Sequence, residues 1–130
     1  MIAVDTNVIL RLAMLDDQAQ VERGRKLLAQ DEIWVAKTVL LETEWVLRTA
    51  YRLSAPAILD ILRSLASLAQ VRLEDPVAVN NALQMYAAGL EFTDAIHLAS
   101  ASQCDQFASF AKNFQRNARR HRVLPAVVEP

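Results

Sequence analysis

The sequence predicts an α/β fold, with a mostly parallel central sheet of four to five short strands and helices on both faces. Two observations carry that prediction. Short apolar runs such as Ile33-Trp34-Val35-Ala36 read as strands buried on both faces, which have no polar side to show. Between them lie segments with apolar residues at helical spacing, clearest at Ile58, Ile61, Leu62, Leu65 and Leu68. Strands and helices in alternation form a parallel sheet with right-handed crossovers.

The elements follow in order. Met1 to Val4 is an apolar run closed by Asp5-Thr6-Asn7, a strand with polar residues at its C-terminal end. Val8 to Leu15 continues as a helix. Asp16 and Asp17 suit an N-cap for a helix over 18–30 with Val21, Leu27 and Leu28 inward. After the second strand, Thr38 is placed to cap a helix running to about Arg52. Ser54-Ala55-Pro56 opens the next helix, to about Ala69. Val71-Arg72-Leu73 is a brief strand, and Asp75-Pro76 starts a helix that Gly89 ends. Thr93 is placed to cap a helix from Asp94 to about Gln103. Gln106 to Phe110 reads as a strand, followed by a basic helix. Val123-Leu124 is a last strand limited by Pro125.

The chain of 130 residues fits one domain, and a 53% hydrophobic composition supplies a core without disulfides. The single Cys104 excludes an internal disulfide, suits a reducing compartment and reads as a small core residue. No apolar run reaches the roughly 18 residues of a membrane helix, and no signal peptide is evident. The expected location is cytoplasmic. A net charge of −1 gives no global sign of nucleic-acid binding, so any basic surface is local. A Gly-rich phosphate loop and a metal-spaced Cys/His set are both missing, which argues against nucleotide-binding and zinc chemistry.

Three carboxylates carry the chemistry. Asp5 ends strand one, Glu42 lies in the first or second turn of the helix after strand two, and Asp94 begins a helix. In parallel sheets, ligands gather at the C-terminal strand ends. Clustered carboxylates repel one another, and a divalent cation removes that cost. Such a cation activates water and steadies charge on a phosphodiester. Taken one at a time, each acid has a plainer use. Asp5 can cap the next helix, Asp94 can complement a helix dipole, and Glu42 can be solvated.

Three motifs then resemble the PIN domain family, and most closely its VapC-type toxins. They are Ile2-Ala3-Val4-Asp5-Thr6-Asn7, Leu40-Leu41-Glu42-Thr43-Glu44-Trp45-Val46-Leu47-Arg48, and Phe92-Thr93-Asp94-Ala95-Ile96-His97-Leu98-Ala99. The resemblance implies a single PIN-like domain over 1–130 with three layers. It implies Mg²⁺- or Mn²⁺-dependent endoribonuclease activity, often a homodimer, and a cognate VapB-type antitoxin that blocks the site. It assigns metal ligation and catalysis to Asp5, Glu42 and Asp94, with Thr6, Asn7, Thr93 and Ser109 as polar support. Glu44 is two residues on, about 200° around the helix, and faces elsewhere. The chain departs from the family at one place. Ser109-Phe110-Ala111 stands where a fourth acid is usual. The Ala belongs either to a naturally degenerate member or to a deliberate replacement, and its lack of a ligand weakens or abolishes activity.

The segment Lys112, Arg116, Arg119, Arg120, His121 and Arg122 is basic and suits RNA phosphates; a solvated helix face or a surface for an acidic antitoxin segment suits it equally. Arg11 and Arg48 are lesser candidates for the same groove. His97 reads first as a partly buried structural histidine, and Trp34 and Trp45 as core or interface residues. The stripe at Ile58, Ile61, Leu62 and Leu65 reads as core or as a dimer surface. Two further functions stay open: a catalytically inactive PIN-like module that binds antitoxin or RNA, and a phosphoacceptor domain using Asp5.

Overall fold

Three strands join in sequence order in one parallel sheet: β1 (Ile2–Ala3), β2 (Ile33–Val35) and β3 (Val71–Leu73). Ile2 lies opposite Ile33, and Ile33 opposite Val71. Four helices belong to the same part of the chain: α1 (Thr6–Met14), α2 (Gln18–Gln30), α3 (Lys37–Thr49) and α4 (Ala55–Ser67). The computed structural model describes residues 1–130. They divide into two compact units, Met1–Glu74 and Asp75–Pro130, a division that length and composition do not announce.

The first unit closes over Ile9, Ile33, Val35, Leu40, Leu47, Ile58 and Leu62, all buried. Its helix starts follow the caps. Asp17 Oδ1 accepts from the Gln20 N–H at 3.0 Å, and Ser54 caps α4 ahead of Pro56. Helix α3 starts differently from the prediction. Its N-cap is Ala36, not Thr38, and the Lys37 N–H donates instead to Glu74 Oε1 at 2.9 Å. A residue 37 positions away thus does what a local cap does elsewhere. The stripe on α4 is mostly core, with Ile58, Leu62 and Leu65 buried.

A polar network braces the α1–α2 corner. Arg11 Nε donates to Gln20 Oε1 at 2.6 Å, Arg11 Nη1 donates to Asp16 Oδ1 at 3.1 Å, and the Tyr51 hydroxyl donates to Asp16 Oδ2 at 2.6 Å. The Tyr51 hydrogen bond, with Arg11 adding to it, holds the Asp16 carboxyl below the usual carboxylate range, and the same bond raises the Tyr51 phenol. A carboxyl depressed by folding contributes stability above roughly pH 4, lost as pH falls through its folded value; a raised phenol contributes below roughly pH 10 and loses it above. Asp16→Asn is therefore expected to flatten the acid limb of a melting-temperature profile against pH, and Tyr51→Phe the alkaline limb. Profiles identical to that of the unaltered protein would show that the network does not operate in solution.

The second unit holds α5 (Pro76–Ala88), α6 (Phe92–Ser100), α7 (Lys112–Arg120) and a two-stranded parallel sheet, β4 (Gln106–Ala108) with β5 (Ala126–Val128). Helices α5 and α6 pack tightly, and Tyr86 meets Phe92 edge to face at 5.3 Å. Gly89 ends α5 at φ 117°, a left-handed conformation that costs any residue with a Cβ. The chain is thus mixed α/β, with every strand pair parallel, and hydrogen bonds divide the five strands into a sheet of three and a sheet of two.

Several boundaries differ from the prediction. Helix α6 starts at Phe92 behind Glu91, so Thr93 lies inside its first turn and does not cap it. The last strand follows Pro125; the Val123 N–H is spent on the Ala118 carbonyl at 3.1 Å, closing α7. Cys104 is exposed, because α6 ends at Ser100 and the cysteine falls in the turn beyond. No helix is long and apolar enough to cross a membrane.

Candidate metal and nucleic-acid site

In the first unit, the register of β1 and β2 sets two acids near one sheet end. Ala3 lies opposite Trp34, and the Val4 N–H donates to the Trp34 carbonyl at 3.2 Å. Asp5 therefore leaves β1 level with Ala36, where α3 begins, and Glu42 sits in the second turn of α3. Asp5 is the N-cap of α1, and its Oδ1 accepts from the Thr6 N–H at 2.7 Å. That bond leaves Oδ2 uncommitted. The cap and the ligand readings of Asp5 are thus compatible, one oxygen for each. Thr6 is 4% exposed, and its Oγ1 is buried with no hydrogen-bond partner. An orphaned buried hydroxyl costs about 1–3 kcal/mol, and this one stands beside Asp5 at the start of α1. Asn7 and Glu42 are exposed.

Glu44 does face away from Glu42, and it is the more deeply buried of the pair at 3% exposure. Its Oε2 accepts from Arg48 Nε at 3.0 Å. Arg48, which the sequence offers to the RNA groove, is thereby engaged in a structural ion pair. The neighbouring Trp45 is not core: it is 56% exposed. The helical arc that carries both Thr43 and Glu44 inward explains the exchange, since Trp45 falls outside it.

In the second unit, Asp94 is half-buried in the first turn of α6. Burial pushes its carboxyl above the ordinary range, Glu91 adds repulsion, and His97 offsets part of the rise. His97 is exposed instead of partly buried, and its ring stacks on that of Phe107, with centroids 6.1 Å apart and planes at 21°. Ser109 organises the turn after β4. Its Oγ accepts from the Ala111 N–H at 3.1 Å, and its carbonyl accepts from Gln115 Nε2 at 2.6 Å. Ala111 is the N-cap of α7 and offers that helix no side-chain bond. Phe110, beside it, is 75% exposed, an apolar feature the sequence does not single out.

Helix α7 buries Phe114, Gln115 and Ala118 and turns Arg116, Arg119 and Arg120 outward. Lys112 is already paired, its Nζ 2.6 Å from Glu129 Oε2. The free cationic surface of the helix is therefore arginine alone, the side chain best shaped for phosphate.

No group of three or more His, Cys, Asp or Glu side chains stands together as a ready-made metal site. Within the first unit Asp5 and Glu42 offer carboxylate oxygens, the donor type a hard divalent cation takes, and within the second unit Asp94 offers one whose charge burial disfavours. The PIN domain family pattern matches residues 2–120, nearly the whole chain. No curated protein matches it.

Proposed function

We propose, from the premise that the chain belongs to the PIN domain family, that it is a divalent-metal-dependent endoribonuclease of the VapC toxin type. PIN domains are generally metal-dependent nucleases, and they typically use divalent ions. The observation that carries the finer reading is Asp5, at the end of β1, with one carboxylate oxygen spent on α1 and a buried unpartnered hydroxyl next to it.

Asp5, Glu42 and Asp94 are assigned as ligands of Mg²⁺ or Mn²⁺. Bound by them, the cation would lower the pKa of a coordinated water and offset charge on the phosphodiester. Asp94 gains most from a neighbouring cation, because burial and Glu91 already disfavour its charge. Thr6, Asn7, Thr93 and Ser109 support the acids. Arg116, Arg119 and Arg120 hold RNA backbone, with Lys112 available once freed from Glu129. A cognate VapB-type antitoxin neutralises the toxin, exposed apolar groups such as Trp45 suit a homodimer, and the setting is cytoplasmic.

The purified protein is expected to cut labelled single-stranded or stem-loop RNA with Mn²⁺ and to stop on addition of EDTA. Ala111 favours a second reading, a catalytically inactive PIN-like module that binds antitoxin or RNA. Calorimetry decides between them. Heat of Mn²⁺ binding with turnover supports the nuclease, Mn²⁺ binding without turnover supports the inactive module, and neither would end the metal assignment.

A further inference from the structure

A second feature of the first unit is not used by the three acids. Between α1 and α2 lies a cleft of about 440 Å³, lined by Asn7 and Arg11 of α1 and by Gln20, Arg23, Gly24 and Leu27 of α2. That volume is within the roughly 300–1,000 Å³ of ligand pockets. The α2 residues are spaced i, i+3, i+4 and i+7, one helix face. Gly24 keeps the two helices close, since a Cβ there would stand 3.1 Å from Leu12 Cδ2.

The cleft has one fixed cation and one free one. Arg11 is held by Gln20 through Nε and by Asp16 through Nη1, and its guanidinium also meets the Tyr51 hydroxyl. A guanidinium locked by neighbours donates its remaining N–H groups with little further loss of entropy. Arg23 is exposed and forms no ion pair. Asp16 offsets the Arg11 charge, so the net positive charge of the cleft is that of Arg23. Asn7 adds a neutral amide, and no carboxylate lines the cleft. One net positive charge, planar donors and a lining free of carboxylates describe a site for a monoanionic oxyanion. A backbone phosphodiester is one.

Its place matters as much as its chemistry. The cleft starts at Asn7, two residues beyond Asp5, and Arg11 is about 9 Å along α1 from Asp5 at 1.5 Å per residue. We infer that the α1–α2 cleft holds a second phosphodiester of an RNA strand, flanking the one presented at Asp5, with Arg23 as its free cation and the fixed Arg11 guanidinium beside it. This rests on the ribonuclease reading and adds to it a subsite that fixes the line the strand takes past Asp5.

The test is binding without cleavage. A fluorescein-labelled single-stranded octaribonucleotide is titrated with the protein in EDTA, and anisotropy is followed from low to moderate KCl. Arg23→Gln is expected to weaken binding several-fold and to reduce the slope of log K against log salt by about 0.7, one phosphate contact on a single strand. Arg25→Gln removes the same charge from α2 outside the cleft, and is expected to leave the slope near that of the unaltered protein. Equal slopes for Arg23→Gln and Arg25→Gln would overturn the cleft and leave the ribonuclease reading standing. Failure of the unaltered protein to bind the oligonucleotide would overturn both. A hexaglutamate peptide bound by the unaltered protein and lost in Arg23→Gln, with the RNA slope unchanged, would assign the cleft to an acidic protein partner and overturn it too.

Discussion

Asp5→Asn is expected to lower Mn²⁺-dependent RNA cleavage by about a hundredfold or more while lowering the melting temperature by only about 1–6 °C. Asp5→Ala is expected to lose both. The difference follows from the double use of one carboxylate. Oδ1 accepts the Thr6 N–H and caps α1, and Asn caps a helix about as well as Asp. Only the loss of favourable charge at the helix N-terminus, worth about 0.3–1 kcal/mol, separates the two in stability. Ala removes the cap itself, at about 1 kcal/mol. Cleavage responds to charge in a different way. A neutral amide cannot offset a cation, and the loss of a single group that stabilises the transition state costs about 10²–10³ in rate. Circular dichroism melts beside a cleavage assay separate the two effects. Undiminished cleavage by Asp5→Asn would sink the assignment of Asp5 as a ligand. A melting temperature equally low in both variants would mean that the charge at Asp5, and not the cap, holds α1 in place.

The parts of the fold legible in the sequence are those fixed by local chemistry. Val71–Leu73 is legible as a strand because the seven residues between Ser67, where α4 ends, and Asp75-Pro76 are too few for a further long helix and carry Val71 and Leu73 about Arg72. Asp17, Ser54 and Gly89 act as caps because their own side chain, or lack of one, does the work within a few residues. The misread parts depend on distant partners. Thr38 is a plausible cap until Glu74 arrives at the Lys37 N–H from 37 residues away. Val123 looks like a strand residue until its N–H is taken by α7. The candidate acids divide in the same way. Their positions at element ends follow from the apolar runs, but the orphaned Thr6 hydroxyl and the rise of the Asp94 carboxyl come from burial, which sequence spacing does not report. Glu44 illustrates the limit best. The 100° per residue of a helix shows that it faces away from Glu42, but not that the other side is the interior.

Ala111→Asp is expected to raise cation affinity and cleavage together, by about tenfold or about 1.4 kcal/mol, and to stabilise the chain. The backbone is already set for it. Residue 111 is the N-cap of α7 with φ −72° and ψ 108°, the extended geometry of a capped helix start, yet its side chain makes no cap bond. Ser109 Oγ holds its N–H, and Gln115, buried beneath, holds the Ser109 carbonyl at 2.6 Å. An aspartate placed there meets the open N–H groups of the first turn, as Asp5 does on α1, and about 1 kcal/mol of capping follows. In a chain of this size that is a rise of roughly 3–6 °C. The second carboxylate oxygen stays available to a cation. The stability gain tests the helix start, and the affinity gain tests the fourth-acid position. Both gains together support a site weakened by the loss of one ligand. A higher melting temperature with unchanged Mn²⁺ affinity would show that position 111 caps α7 and does nothing else, and that the chain's activity is not limited there.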